Sequence, residues 1–456
     1  MRVNSINPAN GQVIQSYQTH SSKEVGEIIK LTQQTWEKWR DTTFLLRSEY
    51  LCAAAKILRN RKEELAILMA LEMGKPLQGG RAEIDKCVDV CEYYAKNGAK
   101  FLENEMVGTD ASKSYVNFQP IGIVLAVMPW NFPFWQVFRF LAPALMAGNA
   151  ALLKHASNVF GCAIEIEKII IEAGFPENLM RTLLITGNEV EQVIENPLVQ
   201  AVSLTGSTEA GKKVAAKAGS LLKKSVLELG GSDPYLILED ADIELATESC
   251  VNSRLINSGQ SCIAAKRFIV VKSIEHQFTE LFRKKMAEKI MGDPMDKKTD
   301  IGPQARPDLR NDLHQQVLKS VKIGAKCILG GSIPAGNHSF YPPTILTEVK
   351  KGMPAYEEEL FGPVAAIISA DDQEDAIRIA NDTIFGLGAA VFTSDLKLGE
   401  TIASRFLDAG SCFVNAMVKS DPRLPFGGIR QSGYGRELGV YGIREFVNVK
   451  TVLVVS

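Results

Sequence analysis

The fold turns on residues 121–155, IGIVLAVMPWNFPFWQVFRFLAPALMAGNAALLKH. The stretch opens on a continuous apolar run, IGIVLAV, and closes near a second, AALL at 150–153. Between them, residues 135–148 read as a helix that stops at Gly148. Residues 121–138 carry no charge and are just long enough to cross a bilayer. However, Pro129 and Pro133 bracket Asn131 in the middle, which breaks a membrane helix and strands polar groups at the worst depth. A strand, a turn and a helix start account for the segment, and no membrane partner is expected.

Working outward, the same alternation continues. A helix over 158–173 is followed by RTLLIT (181–186), a short helix near 188–195, VQAVSLT (199–205), a helix from about 208 and KSVLEL (224–229). Strands apolar on both faces and separated by helices predict a parallel sheet covered on both sides. Such a doubly wound domain takes ligands beyond the carboxyl ends of its strands. A second α/β run follows Pro234, with YLIL (235–238), KRFIVV (266–271), VAAIIS (364–369), LGAAVFT (387–393) and GSCFVN (410–415) as strands. Its Gly/Pro-rich interior, 323–363, reads as loop and short strand. Upstream, the first hundred residues read as helices, with a stop at Gly74 and Pro76 and another helix over 82–102. SYVNF (114–118) and NVKTVLVV (448–455) are left as strands that pair with a partner subunit.

Composition limits the function. Across 456 residues, 51 Lys and Arg face 53 Asp and Glu, a net charge of −2. That balance excludes a general nucleic-acid binder, which needs a cationic surplus. The first twenty residues lack an apolar signal core, and eight cysteines lie scattered without CxxC pairs, which fits reduced thiols in a cytoplasm. No metal site is expected.

Four features carry chemistry. GSTEAGK (206–212) follows a strand and opens a helix, but Lys213 stands where a triphosphatase loop needs Ser or Thr for magnesium. A helix N-terminus still holds a pyrophosphate without metal. NSGQSC (257–262) presents Cys262 after a small turn, whose free N–H groups would favour the thiolate, with Lys266 and Arg267 nearby. Cys87 and Cys91 read as core. Glu228 ends an apolar run, where burial raises its pKa toward that of a useful base. In PWNFP (129–133), the prolines hold the Asn131 amide as a fixed donor or simply build a packed turn. Together, thiol, acid, amide and phosphate loop suggest acyl transfer through a thiol with a dinucleotide.

With PWNFP (129–133), LTGSTEAG (204–211), LELGG (227–231), GQSC (259–262), EELFGPV (358–364) and PFGG (425–428) in order, the chain resembles the NAD(P)-dependent aldehyde dehydrogenase superfamily over almost its whole length. Its 129–149 and 420–428 segments are similar to the succinate-semialdehyde branch. The resemblance implies two doubly wound parallel-sheet domains plus a small oligomerisation β-flap. Residues 1–112 and 121–229 would form the dinucleotide-binding domain, 230–420 the catalytic domain, and 113–120 and 430–456 the oligomerisation strands of a homodimer or homotetramer. Cys262 would attack the aldehyde, Asn131 and the Cys262 N–H would hold the oxyanion, and Glu228 would activate water. Trp130, Lys154, Gly206, Ser207, Leu229, Glu359 and Phe361 would bind NAD or NADP, with Lys154 and Glu359 on the riboses.

Two departures from the family stand out. Ser157 replaces an acid that in many relatives binds the adenosine ribose, leaving room for NADP, so use of both cofactors is expected. The neighbouring His155 replaces a proline and reads as a surface change. Arg139 would grip a distal substrate carboxylate, but Ile256 stands where a second arginine is often found, Arg254 is expected to point elsewhere, and only Arg423 is at hand to help. Succinate semialdehyde leads; another aliphatic or semialdehyde substrate, a CoA-acylating enzyme and a non-catalytic binding relative stay open.

Overall fold

The protein was analysed as a computed structural model that describes residues 1–336 and 338–455. Ile123–Met128 is the centre of a six-stranded sheet. On one side lie Ala150–His155 and Met180–Thr182; on the other lie Val199–Thr205, Lys224–Glu228 and the short Gly433–Tyr434. All pair in parallel except Gly433–Tyr434, which closes the edge antiparallel to Lys224–Glu228. Strand order therefore reverses at Ile123–Met128, and the PWNFP turn leaves the sheet at that switch point.

The second sheet has seven strands, in the order Lys326–Leu329, Thr344–Thr347, Val364–Ala370, Arg267–Val271, Pro234–Ile237, Gly388–Phe392 and Ser411–Val414. Only its first strand runs antiparallel. Period-two alternation fills both faces: Tyr235, Ile237, Phe268 and Val270 enter one core, while Leu236, Leu238, Ile269 and Val271 enter the other. The first sheet shares one large core with the N-terminal helices and with Phe426, Leu438, Ile443 and Phe446 near the C-terminus. Cys87 and Cys91 belong to it and are fully buried.

The structure corrects the sequence reading in places. Arg2–Ile6 and Val13–Gln18 form an antiparallel hairpin ahead of the helices. Pro307–Lys322 is a helix that the sequence reading passed over. RTLLIT keeps only Met180–Thr182 as strand. Val447–Val454 pairs with Lys113–Pro120 of its own chain, with Glu105–Met106 as third strand. No helix among the described residues is long and apolar enough to cross a membrane.

Helix Leu77–Phe101 joins the helical layer to the first sheet through a buried ion pair. Lys75 bonds to Glu83, and the other Glu83 oxygen accepts the N–H groups of Phe134 and Trp135 at 2.8 and 3.0 Å. Those donors begin helix Trp135–Ala147, where no intrahelical acceptor exists. Lys75→Met would leave the Glu83 charge buried without its counter-ion. The expected loss is about 3–5 kcal/mol, read as a lowered denaturation midpoint. An unchanged midpoint would mean that the two helix N–H groups alone hold the carboxylate.

Candidate active site

Three consecutive left-handed residues shape the turn before Cys262: Asn257, Ser258 and Gly259, at φ 53°, 58° and 77°. The first two are strained, by about 1–2 kcal/mol each. At Gly259 a Cβ would stand 2.2 Å from the backbone carbon of Gly362, so only glycine fits. The surroundings hold the turn in place. Ser258 Oγ accepts the Gly302 N–H at 2.9 Å, Arg254 donates to the Gly259 carbonyl at 2.7 Å, and Lys266 donates to the carbonyls of Ser261 and Cys262. Arg254 does point away from solvent, into this turn.

Cys262 thereby lines a cavity of about 470 Å³. Burial pushes its thiol up to about 12, against the opposing charges of Lys266 and Arg139. The turn does not by itself create a thiolate, as the sequence had suggested, because desolvation outweighs the nearby positive charge. The resting group is a thiol.

Asn131 meets this turn from the first sheet. Its Nδ2 donates to the Gln260 carbonyl at 3.1 Å, and Asn257 Nδ2 donates back to the Asn131 carbonyl at 2.8 Å. One amide N–H of Asn131 remains to serve a reacting oxygen. Glu228 is the last residue of its strand and 2% exposed, and among the described residues neither carboxylate oxygen has a hydrogen-bond partner. Burial first, then the Glu437 charge, raise its pKa well above the usual range; Arg139 and Arg436 oppose them. The PFGG glycine makes space here: a Cβ on Gly427 would stand 2.7 Å from a Glu228 oxygen.

The dinucleotide positions cluster at the carboxyl edge of the first sheet and the facing amino edge of the second. Ser207 caps helix Thr208–Ser220 by accepting the Ala210 N–H at 3.3 Å, beside Gly206, so an exposed helix N-terminus is ready for a pyrophosphate. Leu229 closes on this helix, and Gly211 has no room for a Cβ against it. Trp130 and Phe361 meet edge to face, with centroids 5.7 Å apart. Glu359 accepts the Gly231 N–H at 3.0 Å. Lys154 is nearly buried, and burial lowers its pKa; among the described residues its ammonium has no bonded carboxylate. Ser157 opens a single helical turn that carries no acid of its own, and the carboxylate whose charge reaches Lys154 is that of Glu189. A buried ammonium, a carboxylate and a free helix end suit two ribose groups and their bridging phosphates.

Two sequence readings change. His155 is fully buried, not at the surface. Its Nδ1 accepts the Ala156 N–H and its Nε2 faces the Pro133 carbonyl, both at 2.9 Å, which makes Nε2 the protonated nitrogen. Burial lowers its pKa to about 4, so it is a neutral strut under the PWNFP turn. Arg139 borders the cavity, but its guanidinium is not a free fork. Nε pairs with Glu437, Nη2 donates to Thr205 at 3.2 Å, and the plane lies 4.9 Å from the Phe426 ring. Arg423 is exposed and paired with Asp421.

Lys86, Glu437 and the contacts of Lys266 carry no signal in the sequence pattern. Lys86 lines the Cys262 cavity; its ammonium donates to Ser420 Oγ at 2.6 Å and lies 4.2 Å from the Trp135 ring. Burial lowers its pKa to about 8, and among the described residues no carboxylate pairs with it.

A thiol held near 12 reacts through a small thiolate fraction that grows tenfold per pH unit. Alkylation of Cys262 in the free protein should therefore keep rising from pH 7 to 10 without levelling. A plateau in that range would show that the surrounding cations hold a thiolate.

The chain matches the aldehyde dehydrogenase family over residues 1–452. It is 49% identical over 452 residues to a Synechocystis sp. protein named probable succinate-semialdehyde dehydrogenase (NADP(+)), covering 99% of each. It is 44% identical to an Escherichia coli succinate semialdehyde dehydrogenase (NAD(P)+), covering 98% of this chain and 97% of the other. In structure it is similar to succinic semialdehyde dehydrogenase from Streptococcus pyogenes in complex with NADP+, with a TM-score of 0.97, 35% identity and full coverage of both chains. The chain belongs to the aldehyde dehydrogenase family.

Proposed function

We propose that the protein oxidises succinate semialdehyde to succinate with NADP+ or NAD+. The observation that carries the substrate is Lys86: a half-buried ammonium that has no carboxylate partner among the described residues, in the cavity that Cys262 lines. An unpaired cation there is an anion site in waiting. The distal carboxylate would take the place of a counter-ion on Lys86 and Ser420, and Arg139 on the same wall adds its charge through space. Ser157 supports use of NADP, since a small neutral residue stands at that position, and the relatives named for NADP(+) or NAD(P)+ agree.

Cys262 loses its proton and its sulfur adds to the aldehyde carbon. The oxyanion that forms is held by the Asn131 amide and the Cys262 N–H, placed before the reaction begins. When bound, the dinucleotide supplies the hydride acceptor, and a thioester on Cys262 remains. Glu228, unpartnered and with a raised pKa, then takes a proton from the water that attacks the thioester carbon, and the sulfur leaves. A carboxyl in this place supports water rather than CoA as acceptor. The reduced cysteines and the paired strands 113–120 and 447–454, with Leu453 and Val454 exposed, support a cytoplasmic homodimer or homotetramer.

Two measurements test this reading. Glu228→Gln should give one burst of reduced cofactor per site and then stall; an undiminished steady rate would remove Glu228 as the base. Lys86→Met should raise KM for succinate semialdehyde about 10–100-fold, as loss of a charged hydrogen bond of 1.5–3 kcal/mol implies, and spare a neutral aldehyde of similar length. The lowered Lys86 pKa sets the sign with pH: the charge is lost as pH rises through about 8, so KM for the anionic substrate alone should climb there. Equal effects on both aldehydes would end the carboxylate assignment.

A further inference from the structure

The reaction as proposed makes no use of Lys266, yet this residue is fully buried beneath the nucleophile. Its ammonium donates to the Ser261 carbonyl at 2.9 Å and to the Cys262 carbonyl, and it stands 3.6 Å from a Glu359 oxygen. Burying an ammonium costs several kcal/mol unless its protons are satisfied. Here three acceptors surround it, and two are the backbone of the reactive turn. A lysine that served packing alone would need no such contacts, because an apolar chain of similar length fills the same volume more cheaply.

We infer that Lys266 is a positioning residue for Cys262: it fixes the two carbonyls that orient the turn and supplies the positive charge that lets the buried sulfur ionise. The inference rests on Cys262 as the nucleophile. Two contributions are separable in chemistry. The donors set where Sγ points, because the carbonyls of residues 261 and 262 flank the Cys262 backbone. The charge acts through space on the sulfur, where it opposes desolvation; Lys266 is the strongest of the cations that favour the thiolate, ahead of Arg139, while Glu359 and Glu228 act against it. Burial lowers the Lys266 pKa and Arg254 adds to this, while Glu359 and Asp233 oppose them and favour the charged form. Glu359 thus supplies the carboxylate among the three acceptors around the ammonium.

The test uses the full chain without cofactor, with iodoacetamide as a neutral probe of the thiolate. Lys266→Gln keeps donors for the two carbonyls and removes the charge; Lys266→Met removes both. For Lys266→Gln, the line of log alkylation rate against pH should move about one unit to higher pH with unchanged slope, a tenfold slower reaction at any fixed pH. Lys266→Met should show the same displacement and, assayed separately with cofactor and aldehyde, a lower kcat than Lys266→Gln, because the turn is released. If Lys266→Met does not fold, the displacement in Lys266→Gln decides alone. Alkylation of Lys266→Gln at the wild-type rate at every pH would overturn the inference, whatever happens to its stability. Peptide mapping keeps this apart from the underlying assignment: inactivation of the wild type through a thiol other than Cys262 would overturn the nucleophile itself.

Discussion

Asn257 donates to the Asn131 carbonyl across the seam between the two sheets, and both side-chain amides converge on the Gln260 carbonyl. One partner leaves the carboxyl edge of the first sheet; the other belongs to the strained turn that feeds the second. Neither sheet contains a complete site. The knot of amides fixes the distance between an amide that follows one sheet and a sulfur that precedes a strand of the other, and the left-handed residues 257–259 shape the turn that reaches it. The strain in that turn is offset by the bonds that Ser258, Gly259 and Gln260 make with their surroundings.

Elsewhere the interior treats charge in a consistent way. Arg267 donates to the carbonyls of Ser232, Ile379 and Ala380, and Arg47 to those of Trp39, Arg40 and Met146. These guanidinium groups tie loop ends together and are satisfied by backbone oxygens. Glu83 and Glu72 do the converse at helix N-termini, where each accepts two backbone N–H groups. Against this background Glu228 differs, since among the described residues both its oxygens lack a partner. A buried polar group left unsatisfied costs stability, and such groups gather where a protein needs reactivity.

Much of this was legible in the residues. The strands of both sheets follow from uninterrupted apolar runs, and Gly74 and Gly148 end their helices in the left-handed conformation that their places after apolar stretches imply. Cys262, Glu228 and Asn131 stood out because each breaks a local pattern: a thiol after a small turn, an acid in an apolar strand, an amide between prolines. The hairpin at residues 2–18 did not, because its burial alternates only weakly and two of its apolar residues, Ile6 and Val13, are exposed. The pairing of Arg139 with Glu437 joins residues almost three hundred positions apart, and only the fold reveals it. Lys86 sits on a helix face among Glu83, Cys87 and Val90, where nothing distinguishes a cavity-facing lysine from a solvated one. His155 misled for a related reason: a polar side chain replacing proline suggests solvent, while the turn it supports offers it both a donor and an acceptor.

The edge strand Gly433–Tyr434 and the residues that follow it carry a further meaning for biosynthesis. Strand Lys224–Glu228 waits for a neighbour that emerges from the ribosome some two hundred residues later, and Ile443 and Phe446 then seal the same core. The sheet begun first is finished last. A growing chain would carry Cys262 and Glu228 in unfinished surroundings until residues 433–446 have emerged. Termination before residue 433 would thus yield a polypeptide in which Asn131, Glu228 and Cys262 are all present and the first sheet lacks its closing strand.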